Sequence, residues 1–259
     1  MSPSDQTRAL TSPTRALSVL AAIADSRVPV RPPDLGRTLG WSRAAVHQHL
    51  VTLVSAGWLD QLQDGRYRLS LRAGRLGSAA LEQAGLGERI HPLLSAVTAR
   101  LREGSFLAVL ENDRAHIIRR VQAPRRIQAH IDGSDYDLQT SASGRVLTAF
   151  ATAEDLSALA NRGIAVPSNR VLGEVRRLGY AVTDSEDDDP GDETTAIAMP
   201  LFDDAGRCLA AIGVLAPTER LEIAKASVVL RDAAQRFDQM WHFTPESIDS
   251  DLEDVELAQ

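Results

Sequence analysis

Three consecutive segments, PPDLGRTLG (32–40), WSRAAVHQHLVTLVSAG (41–57) and WLDQLQDGRYRLS (58–70), decide the fold of the region around them. Pro32 and Pro33 suit a helix start, where missing N–H donors cost little, and Gly40 ends that helix after Leu35 and Leu39 have turned inward. Ser42 is an N-cap for the next helix, which runs to about Ala56 and stops at Gly57. Its positions Ala45, Val46, Leu50, Leu53 and Val54 make one buried face. Trp58-Leu59 and Tyr67-Arg68-Leu69 then flank Gln63-Asp64-Gly65-Arg66, where Asp-Gly favours a tight hairpin. Two short helices followed by a two-stranded wing predict a winged helix-turn-helix, which lays its second helix in the major groove of DNA.

The residues left on the outer side of that helix carry the chemistry. Arg43 can reach guanine O6 and N7 or a phosphate, Gln48 can pair with adenine, and Ala44 can touch a thymine methyl. His47 is placed to donate to a base or to the backbone, with structural packing as its alternative; Val51 borders the same face. The choice between phosphate and base contact stays open, and only base contact specifies an operator. Arg66 and Arg68 sit on or beside the wing tip, within reach of phosphate or the minor groove; the plainer reading is a solvated hairpin. His49 falls on the helix flank, packing or meeting solvent.

Upstream, residues 14–26 carry Leu17, Leu20, Ala21, Ile23 and Ala24 as a helical stripe, with Thr11 or Ser12 as cap. Downstream, residues 69–84 predict a linker helix. Its apolar side (Leu71, Leu76, Ala79, Ala80, Leu81) needs a partner that a second subunit would supply. The length suits two domains: a winged helix over 1–69, a linker helix over 70–86, a second domain over 87–243, and an acidic disordered tail over 244–259. The net charge of -7 divides unevenly: residues 1–86 hold 10 Arg against 6 Asp or Glu, a net of +4, and the remainder carries -11. A basic module beside an acidic one still binds phosphate, because exposed charges beyond about 10 Å are largely screened at cellular salt. No apolar run approaches the roughly 20 residues of a membrane span. The first residues lack the apolar stretch of a secretory signal. The single cysteine, Cys208, excludes an intrachain disulfide and suits a reducing cytoplasm.

A helix at 90–101, with Leu93, Leu94, Val97 and Leu101 inward, opens the second domain. From Ser105 the period changes to two, predicting strands at 106–110, 115–121 and 126–131, the first pair turning at Asn112-Asp113. Helices follow at 143–150, 153–160 and 171–178, then a strand at 180–183. A hairpin joins 196–202 to 208–215 around Asp204-Ala205-Gly206, and a last helix starts near Glu219 and carries Ile223, Ala226, Val229, Leu230, Ala233 and Phe237. Helices on an antiparallel sheet, without a Gly-rich phosphate loop, describe an α+β ligand-sensing domain. Its candidate pocket is framed by Leu138-Gln139-Thr140-Ser141-Ala142-Ser143-Gly144 and the loop before Ala196. With Ser143 as helix cap, the amides of Gly144 and Arg145 would face an anion such as a carboxylate; alternatively Ser143 satisfies those donors itself and Arg145 lies on the surface. The acidic run from Asp184 to Glu193 lacks the spaced pattern of a calcium loop and reads as solvated. Neither a metal nor a cofactor is required. Cys208, inside an apolar run, reads as a small buried hydrophobe.

Four segments in this order and spacing resemble the IclR-type family of bacterial transcriptional regulators: Arg15-Ala16-Leu17-Ser18-Val19-Leu20, Ser42 to Leu69, DLQTSASGRVLTAF (137–150), and Arg176 to Leu215 with its ending MPLFDDAGRCLAAIGVL. The resemblance covers nearly all of 14–240. It implies a winged helix-turn-helix joined to a GAF-like domain that binds a small metabolite, often carboxylated or aromatic. It also implies a homodimer or dimer of dimers on repeated or palindromic double-stranded operator DNA. The chain departs from the family pattern at three places. Ala44-Ala45 stand where a Ser-Thr pair is usual, Gln139 where histidine is common, and Ala196 where cysteine or serine is often seen.

The expected function is therefore a cytoplasmic, sequence-specific transcription regulator, a repressor, whose operator binding responds to a ligand in the second domain. Two alternatives stand beside it. In one, the second domain serves only oligomerisation. In the other it is an enzyme, which would need a nucleophile and base held together; Cys208 has no histidine near it in sequence.

Overall fold

The computed structural model describes residues 10–26, 28–87, 90–123, 135–185 and 193–241, and the chain divides into two units at residues 1–87 and 88–259. The first holds α1 (Thr11–Ala24), α2 (Pro32–Leu39), α3 (Arg43–Ser55), β1 (Leu59–Gln61), β2 (Tyr67–Leu69) and α4 (Leu71–Gln83). Helix α1 packs through Ala16, Val19, Leu20 and Ile23, spaced for one helical face, against Leu35, Val46, Leu50 and Leu53. This corrects the expected stripe. Leu17 is 64% exposed, because it lies on the side of α1 opposite Val19 and Ile23. Nor do Thr11 and Ser12 cap the helix: Leu10 holds the cap position, with no side-chain bond.

The wing forms as predicted, with Leu59 opposite Leu69 and Gln61 opposite Tyr67. Leu62 and Arg66 close a three-residue turn in which Gly65 takes φ 78, a conformation that favours glycine. Tyr67 also exchanges backbone bonds of 2.8 Å with Val30, which ties the wing to the segment before α2. Helix α4 buries none of its residues, and Leu71 and Leu76 are 93% and 61% exposed. At its start, Arg72 stacks over Trp58 at 4.9 Å and donates to the Ala56 carbonyl at 2.8 Å.

The second unit comprises α5 (Ile90–Leu101), β3 (Gly104–Glu111), β4 (Arg114–Val121), β5 (Asp135–Asp137), α6 (Ala142–Ala149), α7 (Ala153–Asn161), α8 (Asn169–Leu178), β6 (Ala181–Ser185), β7 (Thr194–Phe202), β8 (Cys208–Pro217) and α9 (Ile223–Trp241). Six antiparallel strands run in the order β5-β4-β3-β8-β7-β6. One sheet face carries α6 and α8, with Phe106, Ala108, Ala115, Ala198 and Ala211 beneath Leu138, Ala142 and Val146. Side chains alternate along each strand, so Ile197, Met199 and Leu201 point to the other face, which α5 and α9 cover. The last helix begins at Ile223 instead of Glu219, because residues 218–220 form a 3-10 turn first. There Arg220 makes two bonds of 2.9 Å to the carboxylate of buried Glu103, holding the chain in that turn.

The strand expected at 126–131, most of the acidic run (186–192) and the tail at 244–259 lie outside the described residues. Among those described, no helix is long and apolar enough to cross a membrane, and no cluster of His, Cys, Asp or Glu could hold a metal.

Candidate functional site

Helix α3 owes its position to its inner face: Val46 and Leu50 are fully buried and Leu53 nearly so. Ser42 caps it by accepting the Ala45 amide at 3.3 Å. Burying that stripe leaves Arg43, Ala44, His47, Gln48 and Val51 all exposed along the opposite side. The outer face expected from sequence is thus assembled intact. His49 lies on the flank, its ring 5.7 Å from that of Trp41, so it packs at the turn between α2 and α3.

Arg66 and Arg68 lie on the wing but are engaged. Arg66 donates through Nε to Asp64 Oδ2 at 2.6 Å, and Arg68 through Nε to Asp60 Oδ2 at 3.2 Å. The Arg66 amide, with help from its guanidinium, holds the Asp64 carboxyl below its ordinary pKa. Either arginine must exchange a carboxylate for a phosphate to touch DNA. At the recognition end the situation differs. Arg15 stacks over the Trp41 ring at 5.2 Å, and among the described residues neither Arg15 nor Arg43 forms an ion pair.

In the second unit, Leu138, Gln139, Thr140, Ser141, Ser143 and Gly144 come together where α6 starts, but the cap expected at Ser143 belongs to Ser141. Ser141 Oγ accepts the Gly144 amide at 3.0 Å and donates to the Asp137 carbonyl at 2.7 Å. Ser143 sits inside the helix, 3% exposed, with its hydroxyl 3.5 Å from that of Ser141. The Gly144 amide is therefore taken, and the Arg145 amide donates to the Ser141 carbonyl at 3.0 Å. Neither faces an anion, because the cap falls two residues earlier than expected. Arg145 is no bare surface residue: it donates to the carbonyls of Gln139 (2.8 Å) and Val182 (3.4 Å). Asp137, outside the expected site, organises the loop by accepting the amides of Gln139 and Thr140. An aspartate followed by polar residues two and three positions on is the available sequence signal for that turn.

Gly144 has a steric role. A Cβ there would lie 2.5 Å from Leu138 Cα and 2.6 Å from the Asp137 carbonyl oxygen, so α6 approaches this loop only because the position is glycine. Gln139 bonds through Nε2 to the Val166 carbonyl at 3.0 Å. Ala196 is half-buried on the α6 face of the sheet. On that face Arg120, opposite Phe106 in the ladder, donates to the Tyr136 hydroxyl at 2.8 Å, a polar pair that sequence reading passed over. A cleft of about 160 Å³ opens near the other end of α6, between Leu110, Leu147, Phe150, Thr152, Asp155 and Cys208. It shares no lining residue with the expected pocket. Burial pushes the Cys208 thiol up to about 12, which keeps it protonated and unreactive at neutral pH.

Comparison with known proteins agrees with both halves. Residues 12–63 match the IclR helix-turn-helix domain, and residues 78–239 match the bacterial transcriptional regulator IclR C-terminal domain. The HTH-type transcriptional regulator BhcR of Paracoccus denitrificans is 30% identical over 228 residues, covering 83% of this chain and 80% of that protein. The fold is shared with an IclR transcriptional regulator from Alicyclobacillus acidocaldarius (TM-score 0.73, 20% identity, 90% of this chain and 100% of that one). It is shared also with an IclR homologue from Microbacterium hydrocarbonoxydans solved in complex with 4-hydroxybenzoate (TM-score 0.69, 23% identity, 89% and 99%). A groove-sized helix with its polar side outward, on a winged unit followed by a six-stranded α+β unit, places this chain in the IclR family of bacterial DNA-binding transcriptional regulators.

Proposed function

We propose that this protein is a cytoplasmic repressor that grips operator DNA as a homodimer or dimer of dimers and releases or tightens its hold when an organic anion binds the second unit. The observation carrying the first part is the exposed row Arg43, Ala44, His47, Gln48 on a helix whose opposite side buries Val46, Leu50 and Leu53. Arg43 and Gln48 supply base contacts, His47 a further donor and Ala44 an apolar contact, while Arg66 and Arg68 follow phosphate from the wing. Assembly is supported by α4, whose Leu71 and Leu76 are left exposed among the described residues and suit the same helix of a second copy. The ligand reading rests on the α6 side of the sheet, where Leu138 and Ala196 share a packed cluster with Tyr136, which Arg120 bonds; Gln139, Thr140, Ser141, Ser143 and Gly144 join it from the start of α6. The complex of the Microbacterium relative makes aromatic carboxylates the class to try first.

A second reading, in which the second unit only oligomerises, is favoured by one observation: the polar groups at the start of α6 are bonded to one another. Footprinting on the neighbouring promoter, with and without 4-hydroxybenzoate and related acids, separates the two. The sensor reading expects a footprint that an acid alters, together with a raised Tm for the protein. A footprint indifferent to every acid, with no change in Tm, leaves oligomerisation alone. Absence of any specific footprint across the promoters of the source genome sinks both.

A further inference from the structure

We propose that Arg15, stacked on Trp41, is a DNA-phosphate contact at the edge of the recognition helix. The inference rests on α3 entering the major groove. Trp41 lies in the turn between α2 and α3, directly before the Ser42 cap, and a recognition helix that enters by its N-terminus brings this turn to the groove wall, where phosphates run. Arg15 reaches the turn from α1, with its guanidinium carbon 5.2 Å from the Trp41 ring centre, within cation–π range. His49 also packs on Trp41, with ring centres 5.7 Å apart.

Three features suit this side chain to phosphate. Stacking on Trp41 restrains the guanidinium in advance, which lowers the entropy lost on contact. The residue is exposed, and among those described it has no carboxylate partner, unlike Arg37, Arg66 and Arg68, which are held by Asp34, Asp64 and Asp60. Arg43, one residue beyond the Ser42 cap, is likewise without an ion pair, so unneutralised positive charge gathers at this turn and not at the wing tip. Tyr67 anchors the wing to the domain through two backbone bonds, whereas Arg15 is exposed and holds Trp41 only by stacking; its substitution should leave folding intact.

The test is the salt dependence of binding, by fluorescence anisotropy on promoter DNA and on an unrelated duplex, for wild type, Arg15→Ala, Arg15→Lys and Arg43→Ala. Losing one phosphate contact per subunit lowers the slope of log K against log[salt] by about 0.9 for each DNA-bound subunit, so by about 1.8 for a dimer, and weakens binding roughly 5- to 10-fold per contact at 0.1 M salt, equally on both DNAs. Arg15→Lys, which keeps the charge, should keep the wild-type slope. The proposal is overturned if Arg15→Ala keeps the wild-type slope, or if it weakens only the promoter complex. Arg43→Ala binding like wild type would instead overturn the placement of α3, and the Arg15 contact with it. That failure reads differently, because it appears in the Arg43 arm.

Discussion

Helices α3 and α6 both start at a serine whose hydroxyl accepts the amide three residues on, Ser42 from Ala45 and Ser141 from Gly144, yet their first turns meet opposite surroundings. In α3, Arg43 and Ala44 are exposed and, among the described residues, the capping bond is the only side-chain bond that Ser42 makes. In α6, Ala142, Ser143 and Gly144 are buried, and Ser141 also donates to Asp137, whose carboxylate holds the loop in turn. The same local signal thus builds a presenting surface in one unit and a packed joint in the other. A cap says that a helix begins; what the helix start can bind depends on which of its groups are already bonded.

The sharpest way to break this contrast is at its exposed end. Arg43→Ala should cost roughly 10- to 100-fold in operator affinity and remove the footprint at concentrations where wild type protects DNA. A mutant that footprints like wild type would show that the exposed turn presents nothing. At the packed end, Gly144→Ala should destabilise the second unit by about 2 kcal/mol in denaturant unfolding, because the new Cβ meets backbone that cannot move aside. Unchanged stability would mean that α6 does not lie against Asp137 and Leu138 as described.

The two caps can then be compared directly. Ser141→Ala should cost about 1.5 kcal/mol, since it removes two bonds from a half-buried site, and Ser42→Ala about 0.5 kcal/mol. Equal losses would erase the distinction. On the wing, Arg66→Ala and Arg68→Ala should each weaken DNA binding only about two- to threefold, because each arginine leaves a carboxylate to reach phosphate. Losses as large as that of Arg43→Ala would move the recognition surface to the hairpin.

The smallest effect concerns Cys208. Its thiol ionises at about 12 in the fold against an ordinary 9.0, so between those values the unfolded chain binds fewer protons than the folded one. Stability is fully retained below pH 9 and falls as pH rises towards 12. Cys208→Ser should flatten that fall in a pH series of thermal melts; an unchanged slope would show the thiol to be hydrated.

Much of this was legible in advance where the signals are local. Ser42, Gly40 and Asp64-Gly65 placed α3 and the wing within a residue, because caps and turns act over three or four positions. The inner face of α1 was misread at Leu17, Ala21 and Ala24, since eight apolar residues in fourteen fit more than one stripe and the partner surface makes the choice. The start of α6 was misread for a related reason. Ser141 and Ser143 are both good caps, and the carbonyl of Asp137, four residues before Ser141, selects the first.

From the sequence alone came the kinds and order of elements: a helix-turn-helix with a wing, a linker helix, and an α+β unit matching one family. Periodicity, capping and turn chemistry are nearest-neighbour effects, and they survive without knowledge of distant residues. Only the tertiary structure settled which polar groups remain unspent. Gln139 is held by Val166, 27 residues away, and Arg145 by Val182, 37 away, whereas among the described residues Arg43 and Arg15 form no ion pair. Bonds across such separations depend on the packing of whole elements, and no local pattern records them.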